Sequence, residues 1–265
     1  MKAKSLTEFK TMTFPPMPYI ISDGILPKGC KMFLYGHEGS WKSFMTLDLA
    51  RAISIGGDIW GFKTNPYKVL LVQSEIPEYL LWDRCFGSEE YKDIGFFTNT
   101  SHNPDNIFIL TDTFCLDPGD KDKERIAVFE AFKTLLFDIN PGVLIIDPLY
   151  RYSSGDVEKK VWAKKVLDQV DILKGPTELS IILIGHTRKV SYDLEGHIVR
   201  SSSELTGSGA FKDWADTMFD VATVDPKDRS KISIIPVKTR HARREQEPFQ
   251  LRFNRDSKVF EKVIG

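Results

Sequence analysis

A chain of 265 residues, 42% hydrophobic and 28% charged, can bury a substantial core, which excludes a disordered, collagen-like or disulfide-built protein. A formal net charge of −1 gives no global basic field, so any contact with nucleic acid must come from local loops or from several subunits acting together. Cys30, Cys85 and Cys115 form neither a disulfide framework nor a metal-ligand spacing, and no apolar run reaches the roughly 18 residues of a membrane span. With no secretory segment at the start, the expectation is a soluble, cytoplasmic protein with no membrane partner.

In chain order, residues 1–30 are polar and then proline-rich, reading as an extended arm ahead of one domain over 31–265. Lys31–Tyr35 reads as a short buried strand running into a glycine-bearing loop. Ser43–Ile55 follows as a helix that is apolar nearly all round and ends at Gly56-Gly57. Further strands are expected at Lys68–Gln73, Asn106–Leu110, Val143–Ile146 and Ser180–Ile184. Helices are expected at Asp122–Ile139, with Ile126, Phe129, Phe132 and Leu136 at helical spacing, and at Val157–Leu173. Near-continuous apolar strands separated by helices predict an α/β fold whose mainly parallel sheet is covered on both faces. After Ala210 the texture changes to short strands joined by turns (Met218–Val224, Lys231–Lys238, Gln250–Asn254, Val259–Ile264), read as antiparallel additions at one edge.

The loop after the first strand, Gly36-His37-Glu38-Gly39-Ser40-Trp41-Lys42-Ser43, follows the phosphate-cradling pattern G-x-x-x-x-G-K-[ST] except at Trp41, where the second glycine belongs. In that pattern backbone N–H groups at a helix N-terminus hold phosphates, the lysine reaches the terminal phosphates and the hydroxyl binds Mg²⁺. The departure is expected to be tolerable, with Trp41 beginning the helix at helical angles and Gly39 taking a left-handed turn. Pro141–Asp147 is an apolar strand ending in a carboxylate that can hold Mg²⁺ beside such a loop. Glu75 lies after the strand that follows the phosphate-loop helix, and no second acid follows Asp147, since residue 148 is proline. The resemblance of these segments to RecA-like ATPases, whose water-activating acid sits on the neighbouring strand, implies Glu75 as general base. His186, at the end of the fifth strand, is placed to face a terminal phosphate. His37, His102, His197 and His241 show no ligand spacing with it, so no metal beyond Mg²⁺ is expected. Each feature has a plainer reading: a glycine turn with a chance Lys-Ser, a turn-starting aspartate, a solvated loop acid, a hydrogen-bonded histidine.

Taken together, residues 36–54, 69–75, 143–156, 181–189, 201–221 and 237–240 resemble the RecA-like P-loop ATPases, in particular the branch of RepA-type hexameric plasmid helicases and related phage and mobile-element ATPases. The resemblance implies ATP and Mg²⁺ as ligands and a homo-oligomer, hexameric in that branch, with ATP between subunits. It implies that Lys238 and Arg240, on one face of a strand by alternation, reach a neighbour's γ-phosphate. It also implies that the loops after the fourth and fifth strands contact single-stranded DNA, through Arg151, Tyr152, Arg188, Lys189 and Arg200. Two rival readings stay open: a regulatory or assembly ATPase of the same fold that never touches DNA, and a non-catalytic nucleotide-binding module. A small-molecule kinase is a weaker third, since no second substrate motif is present.

Overall fold

The structure, a computed structural model, describes residues 3–13, 18–87, 95–98, 100–119, 122–155, 160–175, 178–186, 191–192, 198–199, 208–225 and 228–263. Its centre is a nine-stranded sheet. In chain order the strands are β1 (Lys31–Gly36), β2 (Val69–Gln73), β3 (Ile107–Leu110), β4 (Val143–Asp147), β5 (Ser180–His186), β6 (Thr217–Asp225), β7 (Asp228–Thr239), β8 (Phe249–Phe253) and β9 (Phe260–Lys262). They lie side by side in the order β9-β8-β7-β6-β1-β5-β4-β2-β3. From β6 across to β3 every pairing is parallel, whereas β7, β8 and β9 add on antiparallel, as the texture change after Ala210 implies.

Strand alternation sorts the core into two layers. Met32 and Leu34 of β1, Val69 and Leu71 of β2, Val143 and Ile145 of β4, and Ile182 and Ile184 of β5 point to one face, under helix α1 (Lys42–Ile55). Phe33, Leu70, Val72, Leu144, Ile146, Ile181 and Leu183 point to the other, where they meet helices α3 (Lys123–Ile139) and α4 (Lys160–Lys174). Burial on both faces is why these strands read as continuous apolar runs. Helix α1 stops where Gly56 takes φ +70, and α3 begins where the Asp122 side chain accepts from the Arg125 N–H and ends at left-handed Asn140.

Three details differ from the sequence-based expectation. Residues 1–30 are not a simple extended arm: Leu6–Lys10 forms a short helix, and Tyr19–Ile21 pairs with Leu26–Pro27 in a hairpin whose Ile20, Ile21, Ile25 and Leu26 are part of the main core. A helix between β2 and β3, α2 (Glu78–Phe86), was not anticipated. A short helix, α5 (Ser208–Trp214), precedes β6.

The antiparallel strands are tied to α1 by a buried carboxylate. Asp48, on α1, accepts the backbone N–H of Phe260 on β9 at 3.1 Å and pairs with Arg51 at 2.8 Å. Removing one partner of a buried ion pair leaves the other charge uncompensated, at a cost of about 3–5 kcal/mol. The Asp48→Ala protein is therefore expected to be destabilised by about 3 kcal/mol, read as a lower denaturant midpoint with an unchanged m-value.

Candidate functional site

Parallel registry puts the ends of four strands at one edge of the sheet. Gly36 of β1 lies opposite His186 of β5, and Gln73 of β2 opposite Asp147 of β4. The loop from Gly36 to Lys42, Glu75, Asp147 and His186 are therefore brought to one place. Glu38 to Phe44, Glu75, Ile76, Arg84 and His186 line a cavity of 410 Å³ there.

The loop's shape has identifiable causes. A Cβ on Gly36 would stand 2.2 Å from the Val221 carbonyl oxygen of β6, so only glycine fits between the strands. Gly39 takes φ +75 with open space around it, as expected. Trp41 departs from expectation: it does not begin the helix at helical angles but caps it at φ +64, ψ 11, the left-handed region that the absent glycine would enter freely. For a non-glycine residue that conformation costs roughly 1–2 kcal/mol. The indole offsets it by stacking on Phe253 at 4.8 Å and meeting Phe44 and Phe260 edge-on at 5.2 and 6.4 Å. An aromatic pair contributes about 0.5–1.5 kcal/mol beyond the area it buries, so three ring contacts on the partly buried indole match the backbone cost.

Lys42 is almost fully buried. Its Nζ donates to the Gly36 carbonyl at 2.9 Å, the Ser40 hydroxyl at 3.1 Å and the His37 carbonyl. Burial lowers its pKa to about 8, against the opposing pull of Asp147, Glu75, Glu38 and Asp220. Asp147 is buried beside the first turn of α1, hydrogen-bonded by Ser43 and, at 3.2 Å, by the Thr46 hydroxyl. Burial raises its pKa to about 6, and Glu75 adds to the rise while Ser43, Lys42 and Thr46 oppose it. A carboxylate beside a hydroxyl is a hard-oxygen set that suits Mg²⁺, and burying an ionised carboxylate calls for such a cation.

Glu75 lies two residues past the end of β2, exposed, and its Oε1 accepts from the Tyr150 hydroxyl at 3.3 Å. Both ring nitrogens of His186 are shielded from solvent without a hydrogen-bond partner among the described residues, and burial holds its pKa below the ordinary value. Its ring meets Tyr150 edge-on at 5.6 Å. An unpartnered buried imidazole facing a cavity with a lysine fits an anionic ligand there. Arg84 on α2, stacked over Phe44 at 5.7 Å, also lines the cavity and was missed by the sequence reading. The available signal was Pro77 followed by the buried pair Leu81 and Cys85 at i, i+4.

Other expected residues fall elsewhere. Lys238 and Arg240 sit at the opposite edge of the sheet, since Met218 pairs with Lys238 and Thr217 with both Thr239 and Met32. Lys238 donates to the Lys212 and Ala215 carbonyls at the end of α5, and Arg240 pairs with Asp216 at 2.9 Å. On the loop after β4, Arg151 is exposed and reaches the Ser74 carbonyl, but Tyr152 is 0% exposed. Tyr152 packs against Phe114 at 4.8 Å, so its ring belongs to the core and offers no face to a base; Tyr150, 44% exposed, is the outward aromatic. Arg188, Lys189 and Arg200 lie outside the described residues.

A family model described as AAA domain matches residues 2–191. The chain belongs to the AAA domain family. A search of curated proteins gave no match. Among solved structures, the AAA domain described here is similar to a KaiC-like protein from the hyperthermophilic archaeon Pyrococcus horikoshii OT3, at 14% identity and a TM-score of 0.57, over 92% of this chain and 94% of that one. It is also similar to a DnaB-like replicative helicase whose interactions with primase were described, at 14% identity and a TM-score of 0.63, over 89% of this chain. The chain spans 59% of that helicase's length. These likenesses establish the RecA-like fold. No helix among the described residues is long and apolar enough to cross a membrane.

Because protonation removes the charge that would hold a hard cation, Mg²⁺-dependent nucleotide affinity should fall as pH drops through about 6, the value to which Asp147 is raised. Calorimetric titration of Mg–ADP through that range should show the decline in the wild type. The Asp147→Asn protein should bind weakly and with a flatter pH profile.

Proposed function

We propose that the chain is an ATP-hydrolysing RecA-fold motor that works as an oligomeric ring on single-stranded DNA. The observation that carries the catalytic part is the convergence of Lys42, Ser43, Glu75 and unpartnered His186 around one cavity at the carboxyl edge of the parallel strands, with Asp147 buried against Ser43 and Thr46. Lys42 would exchange its loop carbonyls for phosphate oxygens, which would also favour its charged form. Ser43 and Asp147 would hold Mg²⁺, whose chemistry is to neutralise charge on the phosphates. Glu75, exposed and oriented by the Tyr150 hydroxyl, would take the proton of the attacking water. His186 would donate from a ring nitrogen to the terminal phosphate and report its presence to the following loop.

The edge position of Arg240 bars it from its own chain's cavity, which leaves a neighbour's site as its catalytic target. Its guanidinium is half exposed and held by a single carboxylate, whereas Lys238 is committed to two carbonyls of its own chain. Of the two, Arg240 would be the trans-acting cation, while Lys238 would secure the end of α5. For DNA, the outward groups among the described residues are Tyr150 and Arg151, beside Glu75. A strand bound there would shift Tyr150 and so couple DNA to the general base.

Turnover by the Glu75→Gln protein should fall by roughly 10²–10⁴ with nucleotide binding kept. In the wild type, single-stranded DNA should stimulate turnover, and the stimulation should fade across a salt series as phosphate contacts are screened. Unchanged hydrolysis in Glu75→Gln would remove the base assignment. Turnover indifferent to DNA at every salt concentration would favour the regulatory ATPase.

A further inference from the structure

At the edge of the sheet remote from the cavity, three chain segments bring together Cys30, Asp216 and His241, with a thiol sulfur, a carboxylate oxygen and an imidazole nitrogen all within 4.8 Å of one another. Cys30 directly precedes β1, Asp216 directly precedes β6, and His241 lies just past β7. Wide separation in sequence is why no ligand spacing could be read. We propose that these three side chains form a binding site for a soft divalent ion, Zn²⁺ by its chemistry, with an open fourth position for water.

The backbone around the cluster is held before any ion arrives. The Lys31 N–H donates to Asp216 Oδ2 at 3.0 Å, and the Asp216 N–H donates to the Lys31 carbonyl at 2.9 Å, locking the start of β6 to the start of β1. The Arg240 N–H donates to the Asp216 carbonyl at 2.9 Å. Gly24, at φ +75, packs so closely under the His241 carbonyl that a Cβ would stand 2.1 Å from its oxygen, which fixes the backbone of the third ligand. Asp216 is buried, Cys30 half-buried and His241 exposed, so an ion has a way in from solvent.

The donor types fit zinc better than the harder ions. His241 Nε2 lies 3.6 Å from Asp216 Oδ1. Bonds of roughly 2.0–2.1 Å from a tetrahedral zinc to nitrogen and oxygen place such atoms about 3.3 Å apart, so that edge needs only a small closure. A sulfur ligand beside an imidazole and one carboxylate selects zinc over Mg²⁺ or Ca²⁺, which take oxygen sets. The Oδ2 bond from Lys31 orients the carboxylate as a supporting group around a metal would. Binding releases the Cys30 proton to solvent, the sulfur ligating as thiolate, with no change of oxidation state.

Two cations oppose the ion, Lys174 and Arg240, whose charges both act on Cys30. Arg240 donates to Asp216 Oδ1, the oxygen facing His241. A carboxylate oxygen has a second lone pair and the guanidinium is half exposed, so Arg240 can turn toward solvent as the ion takes Asp216 Oδ1.

The test is metal retention by the full chain. After incubation with zinc chloride and gel filtration, the wild type should keep one zinc per chain by atomic emission, and Cys30→Ser and His241→Ala should lose it. Cys115→Ser, which leaves the cluster untouched, should keep it. With Co²⁺ as the probe, the wild type should show a sulfur-to-cobalt charge-transfer band that Cys30→Ser lacks. Should Cys30→Ser fail to fold, the exposed His241→Ala substitution decides alone. Retention no greater in the wild type than in His241→Ala, or a cobalt spectrum without the thiolate band, would overturn the proposal.

Discussion

The phosphate loop depends on a tryptophan held in a backbone conformation that disfavours it. Trp41 sits at φ +64 because its ring stacks on Phe253 and meets Phe260, both carried by the antiparallel strands at the end of the chain. In a glycine-bearing loop, local freedom would supply the turn; here tertiary packing imposes it. The late strands thus help to shape the proposed nucleotide site. Asp48 repeats the connection from within α1, since its carboxylate accepts the Phe260 N–H.

From that brace the electrostatics follow. A fixed loop buries Lys42 among its carbonyls and places Ser43 and Thr46 against Asp147. Burial drives the lysine and the carboxylate toward their neutral forms, to about 8 and about 6. Each shift would be reversed by the counter-charge of a bound Mg–nucleotide, a polyanion for the ammonium and a divalent cation for the carboxylate. A site whose charges are under tension when alone gains affinity for a ligand that relieves both.

The parallel strands and the helices α1, α3 and α4 were legible because burial on both faces leaves no ambiguity in an apolar run, and because the period of α3 is written in Phe129, Phe132 and Leu136. The strand-end residues Gly36, Asp147 and His186 followed from that, since parallel registry alone aligns them. Helix α2 escaped because only Leu81 and Cys85 are buried, while exposed Tyr79, Trp82 and Phe86 blur the period. The inward turn of Tyr152 was not legible because a tight turn over Leu149–Tyr152 decides which ring faces the core, and no periodic pattern applies there. The angles of Trp41 were beyond local reasoning, as their cause lies in Phe253. The same holds for Asp216, whose partners Arg240, His241 and Lys31 meet only after β6 and β7 fold back along β1.

The claim that this segment is a working phosphate loop braced by its tryptophan is tested most directly by Mg–ATP affinity, measured by titration calorimetry on the wild type, Lys42→Ala and Trp41→Gly. The wild type should bind, Lys42→Ala should lose most of the affinity, and Trp41→Gly should bind more weakly than wild type although it restores the glycine of the common pattern. Wild-type affinity or better in Trp41→Gly would contradict the brace, and an absence of Mg–ATP binding by the wild type would contradict the site itself.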